Sequence, residues 1–267
     1  MQFCSVIAIA LGLAATMPAA AATWHPLDPA ATLVIDTTKG RILVEMRPEL
    51  APHAVERVIL LAREQVYDGL LFHRVIDHFV DQTGNPNNKD GGTSSHPDLA
   101  PEFTFRLDAA SYLPVAKPSD GIAGFVGSLP IAGGLPRPSD GRVGAWAAYC
   151  AGVVGMGRQE APGSANSEIF FMRDPARRLD HDYTAFGRVV VGLDVARAIA
   201  VGEPPEVPDR MLHVRLLADL PDADRPRFER MDEHDPAFAA LVAKTRAARG
   251  ANFSVCDVVV PVRQARP

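Results

Sequence analysis

The sequence predicts a mainly β fold: a closed barrel capped by two α-helices, with a long loop insertion and a small C-terminal extension. Three observations carry this. Short segments rich in β-branched and aromatic residues recur from residue 32 to residue 217. Only two segments in that span repeat their apolar residues at helical spacing, at 54–62 and 193–199. Many strands with few helices favour a sheet closed on itself. Between residues 107 and 145, finally, proline and glycine crowd together, which interrupts the strand pattern.

The elements follow in order. Residues 32–37 and 41–46 are strand-like, and Thr38-Lys39-Gly40 between them reads as a hairpin turn. Pro48 stops the second strand. In the next segment Ala54, Val55, Val58, Ile59, Leu61 and Ala62 share one helical face, with Glu56, Arg57, Arg63 and Glu64 opposite. Tyr67-Asp68-Gly69 ends that helix. Residues 101–105 resume a strand. The insertion is read as a loop with a short hairpin near 122–129. A structureless loop of that length is unusual in a compact chain, so it should pack or act. Residues 146–156, 169–172, 183–190 and 211–217 are further strands. Beyond Pro221 a charged linker leads to a helix over 236–249 and an apolar strand over 255–262.

The chain has 267 residues, 47% hydrophobic and 22% charged, enough for a sizeable core. Its net charge of −5 leaves no nucleic-acid footprint. Residues 6–15 form an apolar run too short to span a bilayer well, and Pro18-Ala19-Ala20-Ala21-Ala22 offers small residues for cleavage. Residues 1–22 are therefore expected to be a signal peptide, although Met1-Gln2-Phe3-Cys4 lacks the usual basic residue. No later segment is expected to be an integral membrane segment. A periplasmic or secreted bacterial location follows. Without the leader, Cys150 and Cys256 remain, and an exported chain with two cysteines invites a disulfide. Two separate buried thiols are the alternative, because spacing does not bring two Cα atoms within reach.

The stretch FHRVIDHFVDQTGNP, residues 72–86, carries the chemistry. It reads as a strand, a tight bend and a second strand. Alternation would place Arg74 and Gln82 on one face and turn Phe72 to the other. A cationic fork beside an apolar slot, with no nucleophile nearby, suits a reaction that breaks no bond. His73 and His78 are not at a metal-binding spacing, so no metal and no cofactor is expected. Gly155-Met156-Gly157 lacks the helix and Lys-Ser of a phosphate loop. Ser164 and Ser167 lack the context of a nucleophile elbow.

From about residue 32 to residue 220 the sequence resembles the cyclophilin family of peptidyl-prolyl cis-trans isomerases. The segments that carry the resemblance are KGRILVEMRPELAPHAVERVILLA, YDGLLFHRVIDHFVDQTGNP, GVVGMGR, NSEIFF and LDHDYTAFGRVVVGLDV, in family order. The resemblance implies an eight-stranded antiparallel barrel with the proline site on its outside. Residues 30–220 would form this isomerase domain, with 107–145 inserted. Residues 221–267 would form an extension packed on the barrel.

The resemblance implies catalytic roles for Arg74, Gln82 and Phe79. His73, Val80, Gly157, Arg158, Phe170, Leu179 and Tyr183 would bind substrate. Arg74 matches the family's catalytic arginine, Gln82 the glutamine that positions the substrate carbonyl, and Phe79, Phe170 and Leu179 the proline pocket. Several positions depart from the family pattern. Val80 stands for methionine, Gly157-Arg158 for alanine-asparagine, Thr83-Gly84-Asn85 for Gly-Gly-Asp, and Ser167-Glu168 for Ser-Gln. Arg178 stands where some members carry the tryptophan that grips cyclosporin. The expected partners are proline-containing peptides and unfolded or folding secreted proteins, met by a monomer. The rival expectation is a catalytically weak peptide- or protein-binding module, or chaperone, of the same fold.

Overall fold

The computed structural model describes residues 21–116, 122–135 and 140–265. Nearly all of the expected leader lies outside the described residues. Among the described residues, sixteen strands and three α-helices follow in order. They are β1 (Trp24–Pro26), β2 (Thr32–Thr37), β3 (Gly40–Met46), α1 (Pro52–Arg63), β4 (Arg74–Ile76), β5 (Val80–Thr83), β6 (Phe105–Asp108), β7 (Leu113–Ala116), β8 (Ile122–Val126) and β9 (Leu129–Gly133). Then come β10 (Arg142–Ala147), β11 (Val153–Met156), β12 (Ile169–Met172), β13 (Ala185–Val191), α2 (Leu193–Arg197), β14 (Met211–Leu216), β15 (Phe228–Met231), α3 (Pro236–Arg249) and β16 (Val262–Gln264). Among the described residues no helix is long and apolar enough to cross a membrane.

The main sheet has eight strands in the order β14-β2-β3-β13-β11-β12-β5-β4, and every ladder in it is antiparallel. The hairpin expected at Thr38-Lys39 sets the first register, pairing Leu33 with Val44 and Ile35 with Ile42. The closed barrel expected from the sequence is met only coarsely. The sheet curls, but no continuous ladder joins β14 to β4. Two isolated bridges, Leu71 with Arg210 and Val75 with Gly202, link the segments around those edges. β4 is only three residues long, too short to supply a full ladder to both neighbours.

Helix α1 packs against β13 and β14, and α2 against β3. The buried stripe of α1 holds Ala54, Val55, Val58, Leu61 and Ala62 as its spacing predicts, with Ile59 only partly buried. Arg57, expected on the opposite face, is buried as well and donates to Pro97 O at 2.7 Å. Pro52 fits the first turn because its missing N–H would be unpaired there anyway. Ala51 cannot cap that turn. Instead the Glu102 carboxylate accepts from the backbone N–H groups of His53 (3.1 Å) and Ala54 (2.9 Å), where an anion also meets the positive end of the helix dipole.

The segment expected to be a loop insertion is a second antiparallel sheet, in the order β6-β10-β9-β8-β7. Among the described residues, Pro114 lies on the edge strand β7, and Pro130 is the second residue of β9, just outside its ladder with β10, which begins at Ile131. The single strand expected over 146–156 is two strands, β10 and β11, separated by a turn at 148–152.

The extension also differs from expectation. Helix α3 forms at the expected residues, with Asp235 accepting from Ala237 N (2.7 Å) as N-cap and Pro236 in the first turn. The strand expected over 255–262 is a 3-10 turn at Val255–Asp257, and only Val262–Gln264 is extended. β16 pairs with β15, which pairs with β1. The extension packs largely on the insertion and not on the main sheet alone. Phe238 of α3 meets Phe125 of β8 edge-on at 5.6 Å. Cys150 and Cys256 are joined, with Cα atoms 5.0 Å apart.

Two large hydrophobic clusters result, beside a small third one around Val34, Leu43 and Leu217. One lies between the curled sheet and α1 and holds Phe72, Phe171 and Phe186. The other combines the insertion, the extension and the outer side of β5 and β12. A buried polar node ties these parts together. The Glu45 carboxylate on β3 accepts from Ser128 N in the insertion (3.1 Å) and from Arg230 Nε in the extension (3.1 Å).

Candidate active site

The site is assembled by the β4–β5 hairpin and its neighbour β12. Register pairs Arg74 with Gln82 across β4 and β5, and Gln82 with Phe170 across β5 and β12. Three strands thus carry three site residues in a row, while Phe72 points into the first core, fully buried. The bend between β4 and β5 holds His78 at φ +56°, and Phe79 N donates to Ile76 O (3.1 Å). That tight turn delivers Phe79 to the outer face.

Arg74, Phe79, Val80, Gln82, Phe170, Leu179 and Tyr183 line one shallow pocket of about 70 Å³. Its floor is aromatic. Phe170 stacks on buried Tyr149 at 5.8 Å and meets Tyr183 edge-on at 5.6 Å. Gly155, paired with Phe170 on β11, is required for this stack. A Cβ there would lie 2.6 Å from the Phe170 ring and 2.9 Å from the Tyr149 hydroxyl. The floor belongs to the second hydrophobic cluster, so the insertion and the extension support the pocket from behind.

Arg74 is held from two sides. Its Nη1 donates to Gln82 Oε1, and its Nε donates to Glu203 Oε2 at 2.6 Å. Gln82 Nε2 in turn donates to Glu168 Oε1 (2.8 Å), and Asn85 Nδ2 donates to Glu168 Oε2 (2.5 Å). Because the glutamine amide gives its N–H to Glu168, its oxygen faces the arginine. Arg158 and Arg178 flank the pocket. Arg158 lies over the Tyr183 ring at 4.6 Å and donates to Asp182, while Arg178 lies over the Phe79 ring at 4.3 Å.

Three residues expected to bind substrate lie outside the lining of this pocket. Gly157 and Arg158 line an adjoining polar depression with Gly92, Thr93, Gln159 and Ser164. The Gly157 N–H is already given to Glu168 O at 2.8 Å. The Gly157 position leaves room for the Glu168 carboxylate, which a Cβ there would strike. His73 lies behind the site, 6% exposed, facing Glu168. Sequence reasoning missed Glu203 altogether. It sits 129 residues from Arg74 in the chain, in a loop with no motif. Glu168 was visible only as a charge behind the pocket, not as the acceptor that orients Gln82.

A pocket with an aromatic floor, with the Arg74 guanidinium held in its lining, on a curled antiparallel sheet, defines a class of protein. Residues 32–216 match the family described as cyclophilin-type peptidyl-prolyl cis-trans isomerase. The chain belongs to that family and is a peptidyl-prolyl cis-trans isomerase. It is 30% identical over 227 residues to a probable peptidyl-prolyl cis-trans isomerase of Brucella suis, covering 79% of this chain and 92% of that one. It is 31% identical over 172 residues to the isomerase ppi1 of Schizosaccharomyces pombe, covering 64% and 86%. Among solved structures it is similar to cyclophilin AquaCyp293 from Hirschia baltica. The TM-score is 0.82 at 33% identity, over 90% of this chain and 92% of that one.

Proposed function

We propose that the chain accelerates X-Pro rotation in exported polypeptides through a donor from Arg74 to the proline nitrogen. The observation that carries this reading is the placement of the Arg74 guanidinium, held by Gln82, beside the apolar side chains Phe79, Val80, Phe170 and Leu179 in one pocket. Rotation about the conjugated amide costs about 18–20 kcal/mol. In the twisted state the nitrogen lone pair is no longer delocalised and accepts a hydrogen bond. A donor aimed there stabilises the twisted state over the planar one. Arginine suits the task because it stays charged and moves no proton.

One preorganised donor supplies roughly 3–4 kcal/mol, and a 10⁴-fold acceleration needs about 5.5 kcal/mol. The remainder falls to the pocket. Phe79, Val80, Phe170, Leu179 and Tyr183 hold the pyrrolidine ring while the acyl side of the bond turns. Gln82, with its oxygen turned to Arg74, fixes the guanidinium. Substrate entry releases part of the Glu203 contact, since that pair is half-exposed and exchanges readily with water. The apolar run and small-residue site of residues 6–22 support a periplasmic or secreted location, where a monomer would act on folding chains.

The contact of Glu203 with Arg74 favours one further reading, a weakly catalytic peptide-binding module whose arginine is already engaged. The experiment that separates the two is a coupled cis-to-trans assay on short X-Pro peptides. Arg74→Ala should lower kcat/KM by roughly 10²–10³, the size of one lost transition-state donor, with an unchanged circular dichroism spectrum. A folded Arg74→Ala protein of undiminished rate would falsify the arginine mechanism.

A further inference from the structure

We propose that His73, Asp90 and Glu168 form a binding site for one divalent transition-metal ion of the Zn²⁺ class, directly behind the glutamine of the isomerase site. The three residues lie far apart in the sequence. His73 precedes β4, Asp90 lies in the turn region after β5, and Glu168 immediately precedes β12. The fold brings one ligand atom from each to within 4.8 Å of the others.

The second observation is His73 itself. Its side chain is buried, and neither ring nitrogen has a hydrogen-bond partner. A buried imidazole ordinarily donates from one nitrogen and accepts at the other. Here Nε2 instead faces Glu168 Oε2 at 3.5 Å. Two ligands bound tetrahedrally at about 2.0–2.1 Å from one ion lie about 3.4 Å apart. The His73–Glu168 separation therefore already suits a shared metal. Asp90 is exposed and closes the third position from the solvent side, leaving a fourth for water. One imidazole and two carboxylates suit Zn²⁺ and its first-row neighbours better than Mg²⁺, which holds to oxygen ligands and water. Cys150 and Cys256 are joined to each other and do not compete as ligands.

The site reaches the chemistry through one carboxylate. Glu168 Oε1 accepts from Gln82 Nε2 at 2.8 Å, while Oε2, which also accepts from Asn85 Nδ2 at 2.5 Å, faces the proposed ion with its remaining lone pair. A cation on Oε2 withdraws charge from Oε1 and weakens its hold on Gln82, the residue that fixes Arg74. Filling the site should therefore slow isomerisation.

The test is titration of Zn²⁺ into the full chain against a chromophoric chelator, with X-Pro isomerisation read in parallel. One Zn²⁺ should bind per chain, undisturbed by excess Mg²⁺. Asp90→Asn should weaken Zn²⁺ binding at least about tenfold while leaving the metal-free rate unchanged. Glu168→Gln should weaken it further. His234→Ala, which removes the imidazole of a second cluster formed by Asp232, Glu233 and His234, should leave binding intact. The proposal is overturned if Zn²⁺ does not bind stoichiometrically, if binding survives both Asp90→Asn and Glu168→Gln, or if His234→Ala abolishes it. An unchanged rate with the site filled would overturn the coupling to Gln82. The metal readout is independent of turnover, so an inactive protein that binds Zn²⁺ would count against the isomerase reading and not against this site.

Discussion

At the scale of single residues, the pocket is shaped by substitutions that act through their neighbours. Glu168 replaces a neutral side chain of the family pattern and becomes the acceptor for both Gln82 and Asn85. Gly157 supplies the room that this carboxylate fills. Arg178 does not leave an empty space where a tryptophan would stand. Its guanidinium covers the Phe79 ring at 4.3 Å. It offers a charged edge in place of a broad apolar surface and an indole donor. Cyclosporin-type macrocycles should consequently fail to inhibit at nanomolar concentrations, and Arg178→Trp should tighten their binding. Nanomolar inhibition of the unmodified protein in a peptide assay would contradict this account of the pocket edge.

At the scale of elements, the insertion and the extension form a joint support. The outer face of β8 and β9 is buried because α3 and the turn at Val255–Asp257 cover it, with Phe238, Val255, Val258 and Val260 all buried. Neither piece has enough apolar partners alone, which is the ordinary reason that added segments pack on one another. The link from Cys150 to Cys256 closes a loop with a sequence separation of 106. In the chain-entropy account a loop of that length stabilises by about 4–5 kcal/mol. Mass analysis of the non-reduced protein should show a chain two hydrogens lighter than the dithiol. Reduction should lower the melting temperature. Two free thiols in the non-reduced protein would contradict the link and leave the extension held by its other contacts.

At the scale of the whole molecule, charge sets how the fold responds to pH. Several carboxyls are held below their ordinary range. For Asp219 the cause is the Arg63 fork, at 2.8 and 3.2 Å, and for Asp232 it is the bond with His25 at 3.1 Å. Burial pulls Asp68 upward, but Arg215, the Val214 N–H and His213 outweigh it. A carboxyl whose folded pKa is depressed adds stability above its unfolded value, and that stability is lost as pH falls. The melting temperature should therefore drop below about pH 4. Asp81 has the opposite sign. Burial pushes it up to about 7 although Arg173 donates to it at 2.7 Å. The folded state then keeps a proton that the unfolded chain has released, so Asp81 favours folding at low pH and that contribution fades as pH rises through 7. Asp81→Asn should flatten the stability profile between about pH 4 and pH 7, as read by thermal melts. An unchanged slope in that window would place the titration elsewhere.

What the sequence by itself determined is the local order of the main sheet and its site. The hairpin at Thr38-Lys39, the buried stripe of α1, the capped helix over 236–249 and the pairing of Arg74 with Gln82 all follow from short-range rules. Turn chemistry, apolar period and alternation act over a few residues, and that is the range a sequence displays. The tertiary structure alone decided the rest. The proline-rich insertion reads locally as a loop, yet its described strands form a sheet, because Pro114 stands on an edge strand and the α3 helix covers β8 through Phe238 and Phe125. The contacts of Glu203 with Arg74 and of His73 with Glu168 span 129 and 95 residues. No periodicity encodes such a meeting. It exists only once the curled sheet has brought the chain ends of separate strands to one place, where burial turns a carboxylate and an imidazole into neighbours.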